Sequence, residues 1–461
     1  MKTGTSSMAS VTLGIGIVAL ISVLYIQIAS TASSAAVDPG VRGGAANAGT
    51  PFADLTPSEL SYFNVGKEDF EEAEEVSDGL GPRMNLDSCA GCHSQPEIGG
   101  SSPAINPQIE FASKDGGKDK VPPFLSLNGP VREARFVRNP DGSPDGGVHA
   151  LFTVSGRGDA GPCVLEQPNF AREMSRQNVV FRIPTPTFGA GLIEMIPDSV
   201  LLANRNTNSA TKAALGIRGR ANFHLAGRAI SGQTNKNGND GTVARFGWKA
   251  QNKSLLLFSG EAYNVEMGIT NDLFMTERDE DANCEYAMNP NSITDPDVAS
   301  PIDAINSIEK FTFFMRFLAP PTPSATTPGG ATSISNGKAL FSTVGCVQCH
   351  TPSFTTGRSA VAALRYKPVP LYSDLLLHDM GNGLADGVSQ GEADGQEFRT
   401  APLWGLGQRV FFLHDGRTSD LVEAIRAHAS KGSEGNGSVG LYNALSEDKK
   451  RDLLNFLRSL S

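Results

Sequence analysis

One pentapeptide design occurs twice in this chain, as Cys89-Ala-Gly-Cys92-His93 and as Cys346-Val-Gln-Cys349-His350. Two thiols three positions apart reach the two vinyl groups of one porphyrin edge. The next residue, a His, then lies under the iron and supplies its proximal nitrogen. The pattern predicts two covalently bound haem c groups, attached through Cys89 and Cys92 and through Cys346 and Cys349, with His93 and His350 on the irons. The rival chemistries of a CxxC pair are a zinc site and a redox dithiol. Neither needs a His directly after each second Cys, and the chain has only seven His.

Covalent haem attachment belongs outside the cytoplasm, and the N-terminus agrees. No charged residue separates Lys2 from Asp38, and Val11 to Ala29 is almost wholly apolar. That run is long for a signal-peptide core and about right for one membrane span. Two readings stay open, a signal cleaved near Ala32 or Ala35 and an uncleaved anchor. Both predict a periplasmic or otherwise exported protein, free or N-terminally tethered. Two thiols remain, Cys163 and Cys284. In an oxidising compartment leftover thiols usually pair, so a disulfide between them is expected.

With 39 basic and 49 acidic side chains the formal charge is −10. That balance argues against a nucleic-acid partner, which needs a basic face. The 50 Gly and 28 Pro make the chain loop-rich without making it low-complexity.

Along the chain, Thr56 to Val76 is acidic and helix-like. Residues 100 to 250 are rich in Gly, Asn, Pro and Ser, with short apolar runs such as Val148–Val154 and Val179–Ile183, and predict mostly irregular chain with a few strands and short helices. Ser300-Pro301 looks like a helix start, with Asp303 at N3 and a helix running to Leu318. Ala319 to Ser333 reads as a linker. A short helix at Asn336–Phe341, the second haem motif, a helix at Ser419–Ala429 and an amphipathic helix at Ser446–Leu460 follow in cytochrome c order. The expected architecture is mainly α with irregular and β insertions, in two cytochrome c-like haem domains. Residues 1–36 are the signal or anchor, 37–318 a large, insertion-rich first haem domain, 319–333 the linker and 334–461 a small second haem domain.

Seven segments now carry a resemblance: Asp78–His93, Phe188–Glu194, Arg245–Gln251, Glu261–Thr270, Leu371–Gly381, Glu397–Gly407 and Leu413–Arg417. Together they resemble the di-haem cytochrome c peroxidase superfamily, and most closely its di-haem oxidoreductase branch, sometimes labelled thiol oxidoreductase. The resemblance implies that Glu266 is the catalytic carboxylate beside the first haem and that Trp248 relays electrons between the haems. It also implies His428 as the distal ligand of the second iron. Met380 is its rival, because thioether ligation is common in cytochromes c. Glu194 is a second candidate acid. The family's Gln about ten residues before the catalytic Glu is missing, since Leu255-Leu-Leu-Phe258 stands there. That departure bears directly on peroxidase activity. His414 and Arg417 look like propionate partners. The superfamily often holds Ca²⁺ between its domains, and Asn264 with carbonyls near Thr400 are candidate ligands.

No distal His follows the first motif, and His149 and His224 sit in Gly- and Asn-rich surroundings. The first haem is therefore expected to be reactive and the second to transfer electrons. The expected function is a di-haem, peroxidase-like oxidoreductase using H₂O₂ or O₂. A small redox protein or a protein substrate would supply the electrons. The alternative is a non-enzymatic electron-transfer cytochrome with both irons six-coordinate, its extra ligand coming from His149, His224 or a Met.

Overall fold

The computed structural model describes Met1 and residues 34–223, 229–230, 233–234, 242–276, 281–286, 289–325 and 328–460. The apolar segment Val11–Ala29 and His224 lie outside these residues. Of the first contact unit, Met1–Ala35, only Met1, Ser34 and Ala35 are described. The second unit, Ala36–Ser461, holds everything below. No helix of the described residues is long and apolar enough to cross a membrane.

Seven helices frame the unit: α1 Pro57–Glu71, α2 Leu255–Met267, α3 Ser307–Phe317, α4 Gly330–Thr343, α5 Leu421–Ala427, α6 Asn436–Asn443 and α7 Glu447–Ser459. Between α1 and α2 irregular chain alternates with short helices, the longest Asp198–Arg205 and Ser209–Leu215, and with short strands. Its largest sheet has three short antiparallel strands, β1 Glu133–Phe136 flanked by β2 Val148–His149 and β3 Val179–Arg182. Later, β4 Leu377–Asp379 pairs with β5 Glu397–Arg399.

Each CysXXCysHis turn follows a helix that crosses another at a glycine. α1 starts on a capping box in which Thr56 Oγ1 accepts from Glu59 N and the Glu59 carboxylate accepts from Thr56 N. It then crosses α3 so closely that a Cβ on Gly66 would lie 2.1 Å from the Lys310 carbonyl oxygen. Phe63 and Phe70 pack tilted against Phe314 beside this crossing, with centroids 5.4 and 4.9 Å away. In the second half α4 crosses α7, and a Cβ on Gly337 would lie 2.0 Å from the Asp452 carbonyl oxygen. Phe341, Leu453, Phe456 and Leu457 form the core there.

The helix expected from Ser300 to Leu318 is instead two helices. Pro301–Ala304 makes one turn, Ile305 is extended, and α3 starts at Ser307. Ser300 makes no capping bond, whereas Asn306 accepts from Glu309 N and Glu309 caps back. The full capping box outcompetes the lone Ser. α1 ends at Glu71, short of Val76, and α4 begins within the stretch read as a linker. That stretch also lies along the protein, with Thr322 N donating to Ala46 O and Ser324 N to Ser459 O. Asp38 pairs with the buried Arg458 of α7 at 2.5 Å. The stretch 319–333 is thus held by close contacts within the unit Ala36–Ser461, and residues on its two sides meet directly through Asp38 and Arg458.

Cys163 and Cys284 are bonded, with Cα atoms 4.8 Å apart and a sequence separation of 121. A loop of that length makes the bond worth about 4–5 kcal/mol on the chain-entropy model. A Cys163→Ala/Cys284→Ala variant should lose stability on that scale in denaturant titration; a loss below about 1 kcal/mol would show that native-state strain cancels the loop term.

Two candidate haem cavities

The first cavity, about 1170 Å³, has Cys89, Cys92 and His93 on its wall. Ser88 caps the turn by accepting from Gly91 N at 3.1 Å. His93 Nδ1 bonds the Gly100 carbonyl at 3.0 Å, and Phe70 meets the ring edge-on at 6.0 Å. Burial pushes the His93 pKa down to about 4, against the Gly100 and Thr185 carbonyls. A neutral imidazole held through Nδ1 is the form that offers Nε2 to iron.

Three carboxylates share this wall: Glu133, Glu261 and Glu266. Glu133 accepts from Arg135 Nε at 2.7 Å. Glu266 is half-buried, and its charge reaches the thiols of both Cys89 and Cys92. Glu261, one and a half turns earlier on α2, is fully buried and accepts from Asn252 Nδ2. Burial raises its pKa to about 7, against the Asn252 bond and the Arg135 charge. Sequence reasoning passed over Glu261; the available signal was an acid in the middle of an otherwise apolar helix. Glu194 is elsewhere. It accepts from Arg316 Nε and from Leu255 N, both at 2.9 Å, so it fastens α3 and the start of α2 and is not on the cavity wall. His149 stacks on Phe136 at 3.6 Å and bonds Asp145, also off the wall.

The second cavity, about 1420 Å³, has Cys346, Cys349, His350, Met380, His414 and His428 on its wall. His350 Nδ1 bonds the Tyr372 carbonyl at 2.9 Å and His428 Nδ1 the Ala424 carbonyl at 2.8 Å. Burial lowers both, His350 to about 4, and each ring keeps Nε2 for a metal. His378, also on the wall, has both ring nitrogens engaged: Nδ1 with Glu434 at 2.7 Å and Nε2 with Asp374 at 3.0 Å. His414 stacks on Phe398 at 4.2 Å. Arg417 is not on the wall. Its guanidinium pairs with Asp415 at 2.7 Å and donates to the Gly383 carbonyl.

Trp248 lines both cavities. Its Nε1 donates to Ile183 O at 2.8 Å, and its ring meets His414 edge-on at 6.3 Å. Asn264 and Thr400, the candidate cation ligands, each make their own hydrogen bond. Asn264 Nδ2 donates to Thr276 O and Thr400 O accepts from Ser373 Oγ, and no cavity described here has both on its wall.

A Cys₄ zinc site is excluded by this layout, because the two Cys pairs line different cavities. Among the described residues no three His, Cys, Asp or Glu side chains converge to hold a metal ion. Two large, mostly apolar cavities, each with a Cys pair and an anchored neutral His, fit a porphyrin apiece. The fold and these sites define a di-haem oxidoreductase. The chain belongs to the family described as "Di-haem oxidoreductase, putative peroxidase", whose model matches residues 134–460. That match includes the second haem motif, Trp248 and Glu266 and starts after the first motif. Membership implies two haem cofactors and, at this coarse level, a peroxidase-like oxidoreductase.

No curated protein matches the chain. Similar solved structures include hydrazine synthase from Kuenenia stuttgartiensis, 20% identical, covering 35% of this chain and 56% of that one, with a TM-score of 0.23. This chain therefore spans little more than half of that relative. A MauG-like protein associated with microbial copper homeostasis is 18% identical, with 60% and 89% covered and a TM-score of 0.29. The dihaem peroxidase BthA from Burkholderia thailandensis is 15% identical, with 60% and 86% covered and a TM-score of 0.28. Scores this low add no weight to the assignment.

Proposed function

We propose that the protein is an exported di-haem c peroxidase-like enzyme whose first haem meets H₂O₂ or O₂ and whose second haem delivers electrons. The observation that carries this is Trp248 on the walls of both cavities, each with its own CysXXCysHis turn. Haem iron, when bound, supplies the two-electron chemistry of O–O cleavage. The side chains do the rest. Cys89, Cys92, Cys346 and Cys349 form the thioethers, and His93 and His350 supply the proximal nitrogens. Glu266 takes the proton from one peroxide oxygen and returns it to the other, so that water leaves. The indole of Trp248, easily oxidised, bridges the cavities. His428, anchored through Nδ1 as His350 is, would hold the second haem's iron together with His350, in preference to Met380. A small redox protein or a protein substrate restores the electrons. The Oδ1 of Asn264 is a buried acceptor without a hydrogen-bond partner among the described residues, so Ca²⁺ there stays an expectation outside the proposal.

A second reading has one observation in its favour. Met267 and Met315 lie on the first cavity wall, and either thioether could close the first iron and leave an electron carrier. Adding peroxide to the ferric holoprotein separates the two. Rapid change of the Soret and near-infrared bands is expected, and an unchanged spectrum would leave only the carrier. Trp248→Phe should retain both haems yet slow oxidation of the second haem after peroxide reaches the first. Equal rates in the two proteins would remove Trp248 from the path.

A further inference from the structure

A buried guanidinium needs an anion, and among the described residues all but two buried arginines have one. Arg135 pairs with Glu133, Arg157 with Asp159, Arg182 with Asp386, Arg245 with Asp198 and Arg458 with Asp38. The exceptions are Arg399 and Arg409, each only 8% exposed. Arg399, on β5, donates from Nε to Gly247 O at 2.8 Å and makes a long contact from NH1 to Thr400 O at 3.4 Å. Arg409 spends its backbone carbonyl on Arg458, and its own guanidinium has no carboxylate or carbonyl partner among the described residues. Burial pushes each pKa down to about 10, with the Arg409 charge adding to the effect at Arg399 and the Arg458 charge at Arg409, which leaves both charged at neutral pH.

Both guanidiniums lie on the wall of the second cavity, whose other lining is largely apolar: Leu406, Phe412, Leu453 and Leu457. They also border a smaller space of about 580 Å³ beside Trp404, which has no CysXXCysHis turn. An apolar chamber with two uncompensated cations at one place is complementary to a disc that is apolar except for two carboxylates. We infer that Arg399 and Arg409 are the anchor for the two propionates of the second haem. Guanidinium–carboxylate pairs are directional and often bidentate, so the pair would fix the haem's rotation in its plane as well as neutralise it.

This inference rests on a haem being attached at Cys346 and Cys349, so the mass of the peptide carrying them is measured first, in the full-length holoprotein. Arg399→Gln, Arg409→Gln and their combination are then compared with Arg399→Lys/Arg409→Lys. The readouts are the propionate-bending bands in resonance Raman and the midpoint potentials of both haems. Each Gln variant should shift the propionate band and move only the second haem's potential to more negative values, because a cation that favoured the ferrous form is gone. The double Gln variant should move it further, and the Lys pair should retain most of the original potential. If the double variant does not accumulate, the single variants carry the same reading. Porphyrin mass present with band and potential unmoved, or with the shift in the first haem, overturns the assignment of these arginines alone. A peptide without porphyrin mass overturns the two-haem proposal and this inference with it.

Discussion

Glu266→Gln should leave both haems attached and slow peroxide turnover roughly 10²–10⁴-fold, the usual scale for a lost general acid–base. The substitution keeps the size of the side chain and removes only its capacity to accept and return a proton. The backbone is undisturbed, since the contact from Asn85 N to the residue 266 carbonyl does not involve the side chain. The control is its neighbour. Glu261 lines the same cavity, but its carboxylate is held by Asn252 and faces Arg135, and burial keeps its pKa near 7. It is engaged by the Asn252 amide and the Arg135 charge, and Glu261→Gln should keep at least about a tenth of the rate, well inside the range for a group outside the proton path. Stopped-flow rates with peroxide under saturating reductant decide between them. Should Glu261→Gln collapse the rate and Glu266→Gln spare it, the roles are reversed and the fixed, buried carboxylate is the proton carrier.

What could be read before folding was the chemistry written in consecutive residues. The two CysXXCysHis turns, and the helices α1, α4 and α7, follow from short spacings, caps and one-sided apolar periods. α3 was misplaced because Ser300-Pro301 offers a good local start while Asn306 and Glu309 offer a better one six residues on. α2 carries Glu261, Tyr263 and Glu266, yet it is apolar on nearly every face and has no period to betray it. Its buried Tyr263 hydroxyl donates to Glu74 at 2.6 Å, a pairing that joins residues far apart in the chain. The same holds for Glu194, a free acid on paper and the partner of Arg316 in the fold. Arg417 and Arg399 show the point most sharply. Only Arg417 is singled out in the sequence, yet Arg417 has Asp415 two residues away and Arg399 has only carbonyls. Burial and counter-charge are tertiary quantities, and no local pattern reports them.

Cys346→Ser/Cys349→Ser should yield a protein with one porphyrin per chain, attached at Cys89 and Cys92; Cys346→Ser alone should weaken attachment to a single thioether and lose most of the second haem. The argument is the separation of the two cavities. Each motif lies on its own wall, and the cluster of Phe341, Leu453, Phe456 and Leu457 around the second is distinct from the cluster containing Phe70, Phe152 and Phe314 around the first. Losing the second porphyrin leaves a largely apolar cavity without its filling and strands the charges of Arg399 and Arg409 in it. The α4–α7 region should therefore melt earlier, while the first haem keeps its absorbance until the α1–α3 crossing gives way. Electron paramagnetic resonance of the ferric variant should lose the low-spin signal of the His350–His428 iron and retain the first haem's signal unchanged. Two porphyrins per chain in the purified double variant would mean that the second haem is not held through these cysteines, and simultaneous loss of both would mean that the first cavity depends on the second.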